Sequence, residues 1–163
     1  LVGTFGKGFG TAGAFVAGSH DLIEYLTQMA RPYIYTTAMP PSIVAATRAS
    51  LKLVAAADDR RAHLAQLIAR FRSGAKELGV QLTSSRTPIQ PILIGDSDKT
   101  VALSGFLEEK GVLVTAIRPP TVPRNTARLR VTFSANHTFS HVEQLLHVLS
   151  LAMRSGLLEK GGV

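Results

Sequence analysis

The sequence predicts an α/β protein whose C-terminal half is a small two-layer domain, helices packed on one face of a three-stranded sheet. Three observations predict it. Residues 127–134, ARLRVTFS, alternate strictly, with Leu129, Val131 and Phe133 on one face and Arg128, Arg130 and Thr132 on the other. Residues 43–78 repeat apolar side chains at helical spacing over a length no ordinary strand reaches. Val142, Leu145, Leu146 and Leu149 form a second helical stripe directly after the alternating segment.

The elements follow in order along the chain. Residues 11–19 leave a glycine-rich loop as a short extended segment, and Ser19 is placed to cap a helix carrying Leu22, Ile23 and Leu26. That helix is expected to stop before Pro32, and YIYTTA at 33–38, β-branched and aromatic ahead of Pro40-Pro41, reads as extended or loop. From Ser42 the pattern is helical, broken near Asp58-Asp59 and resumed through Leu64, Leu67, Ile68 and Phe71 to Leu78-Gly79, so it is one long helix or two in line. Residues 89–94 read as a strand, 100–110 as a helix ending at Gly111, and 112–117 as a second strand. After the proline-rich RPPTVPRNT comes the alternating strand, and Ser140-x-x-Glu143 has the pattern of a capping box opening the last helix. Neither internal repeats nor low-complexity tracts interrupt this order.

Composition narrows the functional classes. The 163 residues are 45% hydrophobic and 18% charged, which suits a folded domain with a core and not a disordered chain. No stretch reaches the roughly 20 apolar residues of a membrane span, so the expectation is a cytoplasmic protein with no membrane partner. With no cysteine, disulfides and cysteine-ligated zinc are excluded. The net charge of +7 invites a nucleic-acid reading, but the arginines are dispersed and aromatics make up only 6%, so stacking platforms are lacking. No nucleic-acid partner is expected. Leu1-Val2 reads as the tail of a strand, which leads us to expect a piece of a longer chain.

Several motifs lose their first appeal on inspection. Gly8 to Gly13 satisfies G-x-G-x-x-G, yet a dinucleotide fold needs a full preceding strand, a helix opening at the motif and an acidic residue about 20 positions later. Lys7 is followed by Gly8 where a phosphate-binding loop of the Walker type needs Ser or Thr. His137 and His141 are four apart, but Thr138 stands where a zinc protease has its Glu, and the helix is predicted to begin after His137; no metal is expected. Lys7 itself remains. A lysine among glycines has room for a flat ring to approach the main chain, and a desolvated lysine amine can act as a Schiff-base partner; the alternative is a plain turn with an exposed lysine.

Three blocks decide between these readings: GTFGKGFGTAG at 3–13, YIYTTAMPP at 33–41 and TAIRPPTVPRNTARLRVTFSANHT at 115–138. Together they resemble the C-terminal part of the α-oxoamine synthases, enzymes that use pyridoxal 5'-phosphate to join an amino acid to an acyl-CoA with loss of CO2. The AIRPPTVP stretch implies a member taking L-alanine and a pimeloyl thioester; the alternatives are a member acting on glycine, or a folded domain without activity of its own. The resemblance implies the fold of type I pyridoxal-phosphate transferases. Residues 1–40 would end the large cofactor-binding domain, 41–79 form the connecting helix region, and 80–163 form the small α/β domain.

Residue by residue, the resemblance implies that Lys7 carries the cofactor as a Schiff base and then removes the α-proton of the amino acid. Thr4 matches a hydroxyl contacting the cofactor phosphate. Thr36 and Thr37 match the pair donated across a homodimer interface to the phosphate of the other subunit. Thr121 matches a substrate-contacting position, and Arg130 the arginine that holds the amino-acid carboxylate; Arg128, on the same face, is expected to be structural. The family's ring-stacking histidine and its aspartate on the ring nitrogen precede the lysine motif, so this stretch by itself is not expected to bind the cofactor properly.

Overall fold

The computed structural model describes residues 1–159 and divides into two compact units, Leu1–Asp58 and Asp59–Val163. In the first unit, strands β1 (Val2–Thr4) and β2 (Ala14–Val16) pair antiparallel, with Gly3 opposite Phe15. The Phe15 ring lies where a Cβ at residue 3 would stand, so glycine there lets the ring cross the strand, and any larger residue would have to displace it. Helix α1 (His20–Met29) follows, with the Ser19 hydroxyl accepting from the Leu22 amide at 3.4 Å. Part of YIYTTA departs from its predicted extended form. Pro32 sits in the first turn of a short helix, α2 (Arg31–Ile34), where its missing N–H costs nothing, and only the residues after Ile34 form a loop. Helix α3 (Pro41–Ala55) ends the unit, and Thr47 is its one buried residue among those described.

In the second unit the helical run resumes as α4 (Asp58–Leu78), so the predicted interruption is real and falls at residues 56–57. Leu67, Ile68, Phe71, Gly74 and Ala75 form one buried stripe along it. Gly74 lets α4 approach α6 closely, since a Cβ there would meet the Leu146 methyl. Strands β3 (Ile89–Gly95), β4 (Thr115–Ile117) and β5 (Ala127–Thr132) form an antiparallel sheet in the order β3-β5-β4. Gln90 pairs with Val131, and Leu129 pairs with both Ile92 and Ala116. Their side chains share the face that meets the helices.

Helices α5 (Ser97–Glu109) and α6 (Phe139–Arg154) join α4 over that face. The core contains Phe71 from α4, Leu103 and Leu107 from α5, Ile92 and Leu129 from the sheet, and Val142 and Leu149 from α6, all with 0% exposure. Burying each such side chain contributes roughly 1.5–3 kcal/mol. The buried Gln90 is fully partnered: its amide nitrogen donates to the Ser85 and Thr87 carbonyls, and its oxygen accepts from Arg72 at 2.7 Å. No helix among the described residues is long and apolar enough to cross a membrane.

The helix expected over 100–110 opens earlier, at Ser97, where the Asp96 side chain caps it by accepting from the Lys99 amide, and two further elements of this unit differ from their sequence expectation. The strand predicted over 112–117 begins only at Thr115, because the Val112 amide turns back to the Leu107 carbonyl and the Ser104 hydroxyl occupies the Val114 carbonyl. The capping box of α6 is Thr138 with His141, not Ser140 with Glu143. The Thr138 hydroxyl accepts from the His141 amide, and His141 Nδ1 accepts from the Thr138 amide at 3.2 Å. Glu143 instead takes a bidentate contact from Arg70, at 2.6 and 2.7 Å.

Phe71 also packs against the Phe133 ring, with centroids 5.3 Å apart. Phe71→Ala is expected to lower the unfolding free energy of this unit by about 3–5 kcal/mol, while Thr132→Ala on the open sheet face changes it by less than about 0.5 kcal/mol. Urea denaturation midpoints of the two variants check this.

Candidate functional site

The loop joining β1 to β2 presents Lys7 and is closed by backbone hydrogen bonds. The Phe5 amide donates to Gly13 and the Thr11 amide to Phe5, both at 2.9 Å, forming a neck. At the tip, the Gly10 amide donates to the Lys7 carbonyl at 2.8 Å, and Gly10 takes a φ of +65° that glycine adopts without strain. Below the tip Phe5 packs edge-on against Phe9 and stacks on Phe15, each at 5.3 Å. Lys7 is exposed, its side chain has no partner among the described residues, and a Cβ at the neighbouring Gly8 would meet nothing within 4 Å.

Helix α3 fixes this loop from outside, through two residues the sequence reading passed over. Ser50 donates its hydroxyl to the Phe9 carbonyl at 2.7 Å, and Thr47 Oγ1 lies 2.9 Å from both Thr11 Oγ1 and the Ile43 carbonyl. Their signal was present: two hydroxyls three residues apart share one face of a helix whose neighbours are mostly apolar or basic.

Thr4 ends β1 on the same hairpin, three residues before Lys7, and its side chain is exposed and without an intrachain partner among the described residues. Thr36 and Thr37 are exposed in the loop between α2 and α3. Their segment meets the hairpin through Met39, whose sulfur would lie 2.6 Å from a Cβ at Gly13, a residue with a φ of +99°. Lys7, Thr4 and the Thr36-Thr37 segment thus belong to the first unit, and the hydroxyls and the amine are free to donate to a ligand.

Thr121 and Arg130 belong to the second unit. Arg130 stands exposed on the open face of the sheet, opposite Pro91 on one side and Thr115 on the other. Its guanidinium has no partner among the described residues, whereas Arg128 on the same face spends its Nε on the Thr126 carbonyl at 2.9 Å. Thr121 is exposed in the proline-rich loop, its amide bonded to the Arg118 carbonyl at 3.1 Å.

A family model described as aminotransferase class I and II matches residues 1–149, and the chain belongs to that family. Within it, the chain is 65% identical over 150 residues to an 8-amino-7-oxononanoate synthase of Marinobacter nauticus, covering 92% of this chain and 38% of that protein. The crystal structure of the 8-amino-7-oxononanoate synthase from Francisella tularensis matches with a TM-score of 0.84 at 34% identity, over 96% of this chain and 46% of the other. A serine palmitoyltransferase variant from S. paucimobilis, solved with a bound PLP–myriocin aldimine, matches with a TM-score of 0.87 at 31% identity, over 94% and 39%. The chain spans about two fifths of the length of the curated relatives it matches.

Because Ser50 and Thr47 hold the lysine loop from α3, Ser50→Ala and Thr47→Val are each expected to cost about 1 kcal/mol. Faster amide hydrogen exchange at Gly10 and Thr11, with no change at core amides such as that of Leu129, is the measurement that checks it.

Proposed function

We propose that this chain is the C-terminal part of a pyridoxal-phosphate-dependent 8-amino-7-oxononanoate synthase, which condenses L-alanine with a pimeloyl thioester and releases CoA and CO2, a step of biotin biosynthesis. The observation that carries the proposal is the Lys7 loop: an unpartnered primary amine held at a fixed, glycine-bounded tip within a chain 65% identical to such a synthase. Residues 1–40 then end the large domain, 41–79 make the connection and 80–163 the small domain. The parent is read as a cytoplasmic homodimer.

The donor set fits the cofactor. Lys7 supplies the amine that would hold its carbonyl carbon, Thr4 a neutral hydroxyl for its phosphate, and Thr36 or Thr37 a further hydroxyl offered to the partner subunit's cofactor. When bound, the cofactor supplies an electron sink for negative charge at the amino-acid Cα. The chain's own residues do the rest. Lys7, once its amine is free and neutral, takes the α-proton and returns a proton at the end. Arg130 grips the amino-acid carboxylate with a planar fork, and Thr121 contacts the substrate beside it. Phe5, edge-on to Phe9 and stacked on Phe15, stiffens the hairpin that carries Lys7.

In a protein of the relatives' length that carries this chain, borohydride reduction after loading with pyridoxal phosphate is expected to leave a stable adduct on the peptide containing Lys7. Lys7→Ala is expected to abolish that adduct and lower alanine-dependent CoA release by at least about 10²–10⁴-fold. An adduct elsewhere overturns the assignment. Arg130→Lys keeps the charge but loses the fork, and is expected to raise the KM for alanine by about tenfold or more with a smaller change in the KM for the thioester, read from steady-state CoA release.

A further inference from the structure

Arg130 carries a mobile methylene stem, and its guanidinium has no partner among the described residues to hold it still. A planar fork matches a carboxylate only in a narrow range of orientations, so a neighbour of the stem must limit its freedom. The register names the candidates. Pro91 of β3 and Thr115 of β4 stand directly opposite Arg130, and Arg128 precedes it by two residues on the same face.

Backbone directions rank the two cross-strand neighbours. Pro91 turns its carbonyl outward, where it accepts from the Thr83 amide at 3.5 Å, and Leu93 turns its amide outward to the Gln81 carbonyl at 3.1 Å. These residues of β3 therefore point their backbone polar groups away from β5. Pro91 and Arg130 form a non-hydrogen-bonded pair, whose Cα atoms lie about 4.5 Å apart with the side chains at their closest. Arg130 accordingly turns its own amide and carbonyl toward β4, and with Thr115 makes the wider kind of pair, about 5.5 Å across. Proline suits this site, because its missing N–H falls on the outer edge and no ladder bond to β5 is lost.

Three further observations support Pro91. Gln90, the residue before it, is fully buried on the helix face and partnered by Ser85, Thr87 and Arg72, so alternation keeps Pro91 on the open face. The proline ring is half-buried and has no donor or acceptor, so it packs along apolar methylenes without occupying a guanidinium. Arg128, roughly 7 Å along the strand, has its Nε on the Thr126 carbonyl at 2.9 Å, and its like charge disfavours a swing of Arg130 in that direction.

We propose that Pro91 is a positioning residue for amino-acid recognition: its ring limits the stem of Arg130, so that the guanidinium meets the substrate carboxylate in one orientation. The inference rests on the carboxylate role of Arg130 proposed above. Pro91 acts through that arginine and touches no reacting atom.

The test uses a protein of the relatives' length that carries this chain, with pimeloyl-CoA saturating, L-alanine varied and CoA release followed. Pro91→Ala removes the ring and is expected to raise the KM for alanine by about 5–20-fold with kcat within about twofold. Pro91→Glu sets a carboxylate beside the guanidinium and is expected to raise that KM by about 50-fold or more, whereas Pro91→Gln raises it no further than Pro91→Ala does. The Glu and Gln variants differ in charge and not in shape, so their comparison holds even where loss of the ring weakens β3. In an Arg130→Ala background, Pro91→Ala is expected to change kcat/KM for alanine by less than about twofold. An unchanged KM in Pro91→Ala, equal effects of Glu and Gln, or an undiminished loss in the Arg130→Ala background overturns the role of Pro91 while that of Arg130 stands. An unchanged KM for alanine in Arg130→Ala alone overturns the carboxylate role and this inference together.

Discussion

The alternation of β5 is the constraint on which the second unit depends. As the central strand it is paired on both edges, so its register cannot slip without moving Leu129, Val131 and Phe133 out of the core together. Fixing those three side chains inward leaves Arg128, Arg130 and Thr132 no choice of face. The arginine read as the carboxylate ligand is therefore positioned by the same hydrophobic burial that stabilises the domain. A central strand, locked on two sides and backed by three helices, gives a guanidinium far less positional freedom than a loop would.

The lysine loop solves the same positioning problem without a core. Its unit buries almost nothing, and Thr47 is the one buried side chain among the described residues of 1–58. Precision there comes from hydrogen bonds: the neck between Phe5, Thr11 and Gly13, the turn at Lys7 and Gly10, and the two hydroxyls from α3. Each such bond contributes only about 1 kcal/mol net, but together they fix the backbone of a glycine-rich segment that would otherwise be the least ordered part of the chain. The apolar side chains of α1, α2 and the loop after α2, such as Ile23, Tyr33 and Tyr35, stay exposed in this unit.

How much of this was legible in the sequence depended on whether the deciding signal was local. The β5 alternation, the break between α3 and α4 and the Ser19 cap each rest on a short pattern with one physical reading, and the structure has them. The α6 cap was misread because Ser140 and Glu143 fit the usual residue types, whereas Glu143 is drawn away by Arg70, 73 positions earlier in the chain. His141 Nδ1 then accepts in its place. The late start of β4 has the same origin, since Ser104 of α5 takes the Val114 carbonyl. Of the candidate site, Lys7 and Arg130 stood out by loop composition, alternation and family resemblance. Thr47 and Ser50 went unseen because their importance lies in contacts with residues 36 and 41 positions away.

The net charge of +7 is not spread evenly along the chain. Residues 110–142 hold five of the 18 basic residues and none of the 11 acidic ones: Lys110 at the end of α5, Arg118 and Arg124 in the turns between β4 and β5, and Arg128 and Arg130 on β5. A nucleic-acid surface tracks a repeating backbone of phosphates with many interchangeable cations and stacking aromatics. This region instead offers a few guanidiniums at separate, structurally fixed stations, with one of the four already committed to a carbonyl and no Tyr or Trp among them. Such an arrangement suits discrete anionic groups, each held by one planar fork, better than it suits a polyanion.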